Sequence, residues 1–219
     1  MPWDLAFPPT RRAVLLEREN RFAVRARGEA GELRLHLPNS GRLRFLRPGL
    51  ELRYLPKENP RTAGRVLLAR DGEDWVLLDS RYAEAALPAL LGRLGYRFLR
   101  AQPRVGESRF DALVEVGGRA VPLEMKSATH VEDGVACFPD APSARAVRHL
   151  EGLARAGGVL VFAVLHPRGR AFAPCRFDPR FAEALARAAR EGVRVHAARA
   201  ELSPAGLRWA ETLPVYFSP

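Results

Sequence analysis

The 219-residue chain contains no isoleucine, one glutamine (Gln102), three asparagines and two cysteines, and of its 35 basic residues only Lys57 and Lys126 are lysines. Two cysteines, Cys137 and Cys175, are too few for a disulfide framework. The first twenty residues hold Asp4, Arg11, Arg12, Glu17, Arg18 and Glu19, a poor match to a signal peptide. Both features fit a cytoplasmic protein with two free thiols. The longest apolar run, residues 157–165, is too short to span a bilayer, so no membrane partner is expected. There is no internal repeat, low-complexity tract or Gly-rich phosphate loop of Walker type. Abundant arginine with few thermolabile side chains points to a thermophilic bias.

What is present is arginine, unevenly spread. Residues 1–70 carry 15 Lys and Arg against 7 Asp and Glu, a net +8, whereas residues 71–219 carry 20 against 18. A basic first third suggests a module that binds a polyanion, with nucleic acid the leading candidate. The same region reads as short strands: Ala13–Glu17, Arg21–Arg27, Glu32–His36, Leu50–Leu55, Arg65–Ala69 and Trp75–Asp79. They are broken at Asn20, Gly28, Pro38–Gly41, Pro48-Gly49, Pro56–Pro60 and Asp71-Gly72. Regular short strands with turn signals argue a small β-barrel, here a five-stranded OB-type barrel, in which apolar residues alternate with outward arginines. Phosphate contacts are then expected from Arg18, Arg21, Arg25, Arg34, Arg42 and Arg44. The loop His36-Leu-Pro-Asn-Ser-Gly-Arg42 adds His36, Asn39 and Ser40, in a turn whose backbone N–H groups can meet a phosphate.

A second stretch, Ser108–Lys126, reads as a hairpin about Gly117-Gly118, since both residues of a type I′ turn need positive φ. Counting back from Val116 opposite Arg119 sets Asp111 opposite Glu124, with Lys126 on the same face. Phe110, Ala112, Val114, Val116, Val121, Leu123 and Met125 fall on the other, apolar face. Pro122 argues for an edge position or a bulge, because it has no N–H for a ladder. Two close carboxylates repel unless a cation lies between them, and Mg²⁺ favours such a pair with water and phosphate oxygens. A lysine there can orient a water or neutralise a phosphoryl group. The lysine is telling in a chain that otherwise writes arginine, which cannot give up its proton. The spacing Asp-x12-Glu-Met-Lys resembles the PD-(D/E)xK metal-dependent nucleases. The alternative is a charge-striped hairpin in which Asp111 and Glu124 pair with Lys126 and Arg109.

Around the hairpin, helical spacing covers Tyr82–Leu94 with a bend or break at Pro88. A strand over Tyr96–Leu99 precedes the hairpin and an irregular stretch, Ser127–Pro142, follows it. Ser143 caps a helix to about Ala156, Val159–Leu165 is a buried strand, and Asp178-Pro179 opens a helix to about Arg190. Strands over Val193–Ala198 and Leu213–Phe217 complete an α/β (α+β) order with mixed sheet directions. Two domains are expected, 1–80 and 81–219.

Taken together, the sequence resembles the sugar fermentation stimulation protein A family from about Arg18 to Leu213. The carriers are Arg21-Phe22, His36-Leu-Pro-Asn-Ser-Gly41, Ser108-Arg109-Phe110-Asp111, Leu123-Glu124-Met125-Lys126-Ser127, Phe138-Pro139-Asp140-Ala141 and Arg148-His149-Leu150. The resemblance implies an N-terminal OB-like barrel followed by a PD-(D/E)xK nuclease-like mixed-sheet domain. It also implies DNA binding without sequence preference, with RNA as a second possible partner, a role in regulating sugar (maltose) utilisation, and a nuclease activity using Mg²⁺ or Mn²⁺. Asp111, Glu124 and Lys126 match its catalytic motif, and the strand carries the Met125 carbonyl past the same site as an extra ligand. Gln102 stands where the family commonly has a metal-binding glutamate, which weakens the expected site. A DNA-binding regulator that keeps the fold without cleaving is the alternative. The family segment Thr-x-Arg-Gly-x-Lys-His-Leu reads Ser143–Leu150 here, without the glycine and the lysine.

Overall fold

The computed structural model describes residues 2–57, 61–106 and 108–218, so part of the Pro56–Pro60 break lies outside the described residues. After a two-residue strand β1 (Leu5–Ala6), the chain forms β2 (Arg11–Asn20), β3 (Ala23–Gly28), β4 (Gly31–His36), β5 (Glu51–Pro56), β6 (Gly64–Asp71) and β7 (Asp74–Leu77). The order β4-β3-β2-β5-β6 closes through a parallel β4–β6 contact, giving the five-stranded OB barrel. Closure needs Gly64, because a Cβ there would overlap the Leu55 carbonyl and the Tyr54 ring. Inside sit Leu15, Val24, Ala26, Leu35, Leu52 and Val66, the apolar alternates of the arginine-bearing strands.

Two short helices follow, α1 (Ser80–Ala85), capped by Asp79, and α2 (Leu87–Arg93), with Pro88 in its first turn. Strand β8 (Arg97–Ala101) leads into a ribbon of β9 (Arg104–Val105) and β10 (Ser108–Arg109). The hairpin β11 (Ala112–Val116) and β12 (Arg119–Ala128) comes next. The expected irregular stretch is instead ordered: β13 (His130–Glu132) and β14 (Val135–Phe138) form a small sheet with β16 (Ala171–Pro174). Helix α3 (Ala144–Ala156), capped by Ser143, precedes β15 (Val159–Val164), and α4 (Pro179–Arg190), capped by Asp178, precedes β17 (Arg194–Ser203) and β18 (Gly206–Leu213).

The main sheet runs β1-β18-β17-β15-β12-β11-β8, parallel at its β12, β15 and β17 centre and antiparallel outside it. One face packs on α3 and α4 through Leu150, Leu153, Leu160, Phe162, Phe181 and Leu185. The other packs on α1, α2 and the outside of the barrel, where Leu67 and Leu77 join Leu123, Val161 and Ala198 in one core. The barrel is thus fused to the sheet, and the first residues, through β1, pair with β18 rather than with the barrel.

Two expectations are corrected. The last strand is not Leu213–Phe217. It is β18, whose cross-strand Arg199–Glu211 and Arg208–Glu201 ion pairs disguised a hairpin as polar sequence. The thiols are not free: Cys137 and Cys175 form a disulfide, because the parallel pairing of Cys137 with Ala173 sets Cys175 alongside it. Among the described residues no helix is long and apolar enough to cross a membrane.

Candidate active site

Gly117 and Gly118 both have positive φ, 57° and 76°, and the register runs unbroken from Val116 opposite Arg119 to Ala112 opposite Leu123. No bulge forms at Pro122, nor is its strand at an edge. The ladder to β15 begins only at Leu123, so no neighbour there requires the missing N–H. Beyond Ala112 the strand bends. Phe110 consequently lies not on the apolar face with Ala112 but in the opposite core, beneath α3.

At that bend the Asp111 amide donates to the Leu123 carbonyl (3.0 Å), and the Asp111 Oδ2 accepts the Met125 amide (2.7 Å). In a strand, the N–H and C=O of one residue leave the same edge, so the Met125 carbonyl also points towards Asp111. Glu124 is 3% exposed. Its Oε1 is bonded to Lys126 Nζ and to His149 Nδ1 (2.5 Å), while Oε2 is buried with no hydrogen-bond partner among the described residues. Lys126 Nζ in turn lies 3.4 Å from His149 Nδ1. Burial first, and then the negative charge of Glu124, pushes the Asp111 carboxyl up to about 7. Glu84, one turn into α1, adds a third carboxylate to the neighbourhood. Its own carboxyl is shifted upward by burial, with Asp79 and Glu124 contributing.

The structure therefore brings Asp111, Glu124, Met125 and Lys126 together. Of the pairing in the charge-striped alternative, Glu124 with Lys126 forms, whereas Arg109 donates to the Gln102 side chain instead of a carboxylate of the hairpin. Gln102 is exposed, with φ of 50°, and its side-chain oxygen is held by Arg109. Only its backbone N–H reaches Asp111, at the carbonyl (2.9 Å), so its side chain is directed away from the carboxylate pair. His149 and Glu84 were not recognised from sequence. His149 did leave a signal, since it falls on the helix face otherwise formed by Ala146, Leu150 and Leu153. Glu84 left none.

The residues expected to bind nucleic acid from the barrel are mostly engaged elsewhere. Arg18 donates to the carbonyls of Arg42 (2.6 Å) and Gly41 (2.7 Å), Arg34 pairs with Glu19 (2.6 Å) and Arg25 with Glu17 (3.3 Å). Arg21 lies over the exposed Phe22 ring, and Arg42 and Arg44 flank Phe177 at 5.2 and 4.8 Å. His36 lines a cavity with Arg34, Arg65 and Arg81; burial and then the Arg65 charge lower its pKa. In the 36–42 loop the expectation of free N–H groups is corrected. The Gly41 amide donates to the Asn39 side chain (2.9 Å) and the Arg42 amide to Asp140 Oδ2 (2.6 Å), while Asn39 Nδ2 reaches Thr129 (3.4 Å). The loop clamps the barrel to the sheet domain, and Ser40 faces a cavity of about 240 Å³ beside Ser127 and Asp140.

The family described as the SfsA N-terminal OB domain matches residues 16–78, and that described as the sugar fermentation stimulation protein RE domain matches residues 77–206. The chain belongs to the sugar fermentation stimulation protein (SfsA) family. Its relatives include homologs from Pyrobaculum neutrophilum, 37% identical over 94% of each chain, and Chloroflexus aurantiacus, 33% identical over 96% of this chain and 87% of that one. The solved structure of Pyrococcus furiosus SfsA in complex with Ca²⁺ superposes with a TM-score of 0.88, at 31% identity, over 99% of this chain and all of that one. The OB barrel and the mixed sheet are thus features this SfsA-family chain shares with a solved relative.

Proposed function

We propose that this SfsA-family protein is a divalent-metal-dependent nuclease that binds DNA without sequence preference and acts in the cytoplasm. The observation that carries the reading is the unpartnered, buried Glu124 Oε2 next to an Asp111 carboxyl pushed up to about 7. Both are marks of a carboxylate pair suited to balance by a cation. Among the described residues no three His, Cys, Asp or Glu side chains converge as a metal cage. Two carboxylates and the Met125 carbonyl are a donor set for a hard ion, such as Mg²⁺ or Mn²⁺, that keeps several waters. The Pyrococcus furiosus relative forms a complex with Ca²⁺, an ion of the same oxygen-seeking kind.

Bound by these groups, a divalent ion would polarise a phosphoryl oxygen and acidify a water. The protein's own residues contribute the rest. Asp111 is oriented by the Met125 amide, and Glu124 presents its open Oε2 while its other oxygen anchors Lys126 and His149. Lys126, held at the rim by both partners, orients the attacking water and offsets the charge that grows on the phosphoryl group as the P–O bond breaks. The turned-away Gln102 amide favours a second reading, a DNA-binding regulator that does not cleave, because it leaves the ion with only two side-chain ligands. Cleavage of plasmid and single-stranded DNA with Mg²⁺ or Mn²⁺, against EDTA, decides between them. Activity that requires the metal and is lost in Lys126→Ala is expected; metal-independent or absent cleavage would leave the regulator.

A further inference from the structure

Helix α3 carries Arg145, Arg148 and Arg155 at spacings of three and seven, which aligns them along one exposed stripe. Across from the stripe, the β9–β10 ribbon presents Arg109, and between them lies an open groove of about 790 Å³. Among the described lining residues the one acid, Glu151, is drawn towards Arg187 (3.9 Å) on α4. Among the described residues Arg145, Arg148 and Arg155 have no acidic partner, unlike Arg12, Arg25 and Arg34 of the barrel strands. His149 lines the same groove and also bonds to Glu124, so a single side chain separates the groove from the carboxylate pair. Gly152 makes this junction possible: a Cβ there would stand 3.0 Å from the Phe110 ring, and its absence lets α3 settle against Phe110 with His149 one turn earlier.

We propose that this groove, through Arg109, Arg145, Arg148 and Arg155, is the track along which a phosphodiester strand of nucleic acid reaches the site, in preference to the barrel face. The placement of the scissile bond rests on the nuclease reading above; the binding surface does not. Uncompensated guanidinium groups along a concave wall focus a positive potential and make bidentate phosphate contacts. Among its described lining residues the groove has no phenylalanine, tyrosine or tryptophan for a base to stack on, so recognition is of the backbone and is indifferent to sequence.

The test measures binding of one labelled oligonucleotide, as a single strand and as a duplex, by fluorescence anisotropy in EDTA over a salt series. Three proteins are compared: wild type, Arg145→Ala/Arg148→Ala/Arg155→Ala, and Arg12→Ala/Arg25→Ala/Arg34→Ala from the barrel. The α3 variant should bind at least about tenfold more weakly. Its log–log salt slope should fall by about 2 on the single strand or about 3 on the duplex, whichever form the groove takes. The barrel variant should change affinity less than about threefold. Equal affinity of the α3 variant and wild type for both forms, or a larger loss in the barrel variant, overturns the proposal. So does an α3 variant that loses only poly-glutamate binding, which would make the groove a site for an acidic protein. Loss of DNA binding with no metal-dependent cleavage in wild type would end the nuclease reading and leave the track standing. Cleavage with undiminished binding in the α3 variant would do the reverse. Thermal melting of the α3 variant should match wild type, because none of the three side chains holds another in place.

Discussion

The barrel and the α3 side of the sheet domain handle charge in opposite ways. On the barrel strands, many arginines are answered by acids: Arg12 by Glu51, Arg25 by Glu17, Arg34 by Glu19, and Arg65 by the buried Asp79, which also holds Arg81 of α1. Around α3 both signs are left partly open. Among the described residues Arg145, Arg148 and Arg155 have no acid, Asp111 has no salt-bridge partner, and Glu124, paired with Lys126 through Oε1, leaves Oε2 without a partner. The net +8 of the first 70 residues is therefore an excess over ion pairs already made within the barrel, not a count of free arginines. Closed charges hold structure, while open ones are available to a ligand.

The sharpest way to break this contrast is on the open side. Lys126→Ala should reduce metal-dependent cleavage by about 100-fold or more, the usual weight of a positioned proton or charge donor, with metal-free DNA affinity almost unchanged. Single-turnover rates and anisotropy on the same preparation separate the two effects.

Next in size is the cost of the uncompensated Asp111. Its carboxyl is raised from 3.8 to about 7, so between those values the folded protein binds more protons than the unfolded chain. Stability of the metal-free protein must then fall as pH rises from about 4 through 7 and level off above, a loss on the order of 4 kcal/mol. Asp111→Asn, which keeps an acceptor for the Met125 amide, should be the more stable protein at pH 8 in EDTA and show no such slope. Urea unfolding at pH 4.5, 6, 7 and 8 checks this, and saturating Mg²⁺ should flatten the wild-type curve.

On the closed side the expectation reverses. Asp79 is fully buried, caps α1 and binds Arg65 (2.7 Å) and Arg81 (2.7 Å). Asp79→Ala should lower stability by about 3 kcal/mol, combining a lost cap with a broken buried pair. The same urea titrations should show single alanine substitutions at Arg145, Arg148 and Arg155 each within about 0.5 kcal/mol of wild type. A large destabilisation by any of those three would mean that α3 is closed too.

Much of this was legible in the chain. Alternation and turn residues marked the five barrel strands and β7 to within a few residues, and Gly117-Gly118 set a hairpin register that the structure retains as far as Ala112 opposite Leu123. Ser143 and Asp178 start their helices where their capping chemistry requires. What escaped was contact over distance. His149 reaches Glu124 across 25 residues and Glu84 approaches from α1; the helix face marks His149 as inward but names no partner, and nothing local marks Glu84. The same limit applies to charge, since alternation shows that an arginine points outward but not which carboxylate awaits it. Gln102 was assigned from a family position, and a backbone with positive φ turned its side chain elsewhere.

The disulfide divides the molecule in a way the sheets do not. Cys137 and Cys175, 38 residues apart, close a covalent ring that contains all of α3 and β15, and with them His149 and three of the four arginines of the groove. Asp111, Glu124 and Lys126 lie outside the ring. By chain-entropy reasoning a ring of this size restrains the denatured chain by about 4 kcal/mol. That restraint falls on the segment carrying the groove, while the hairpin carrying the carboxylates owes its order to its own turn and register. A reducing milieu thus lowers the stability of the folded chain as a whole, by freeing in its denatured state the segment that would hold a substrate.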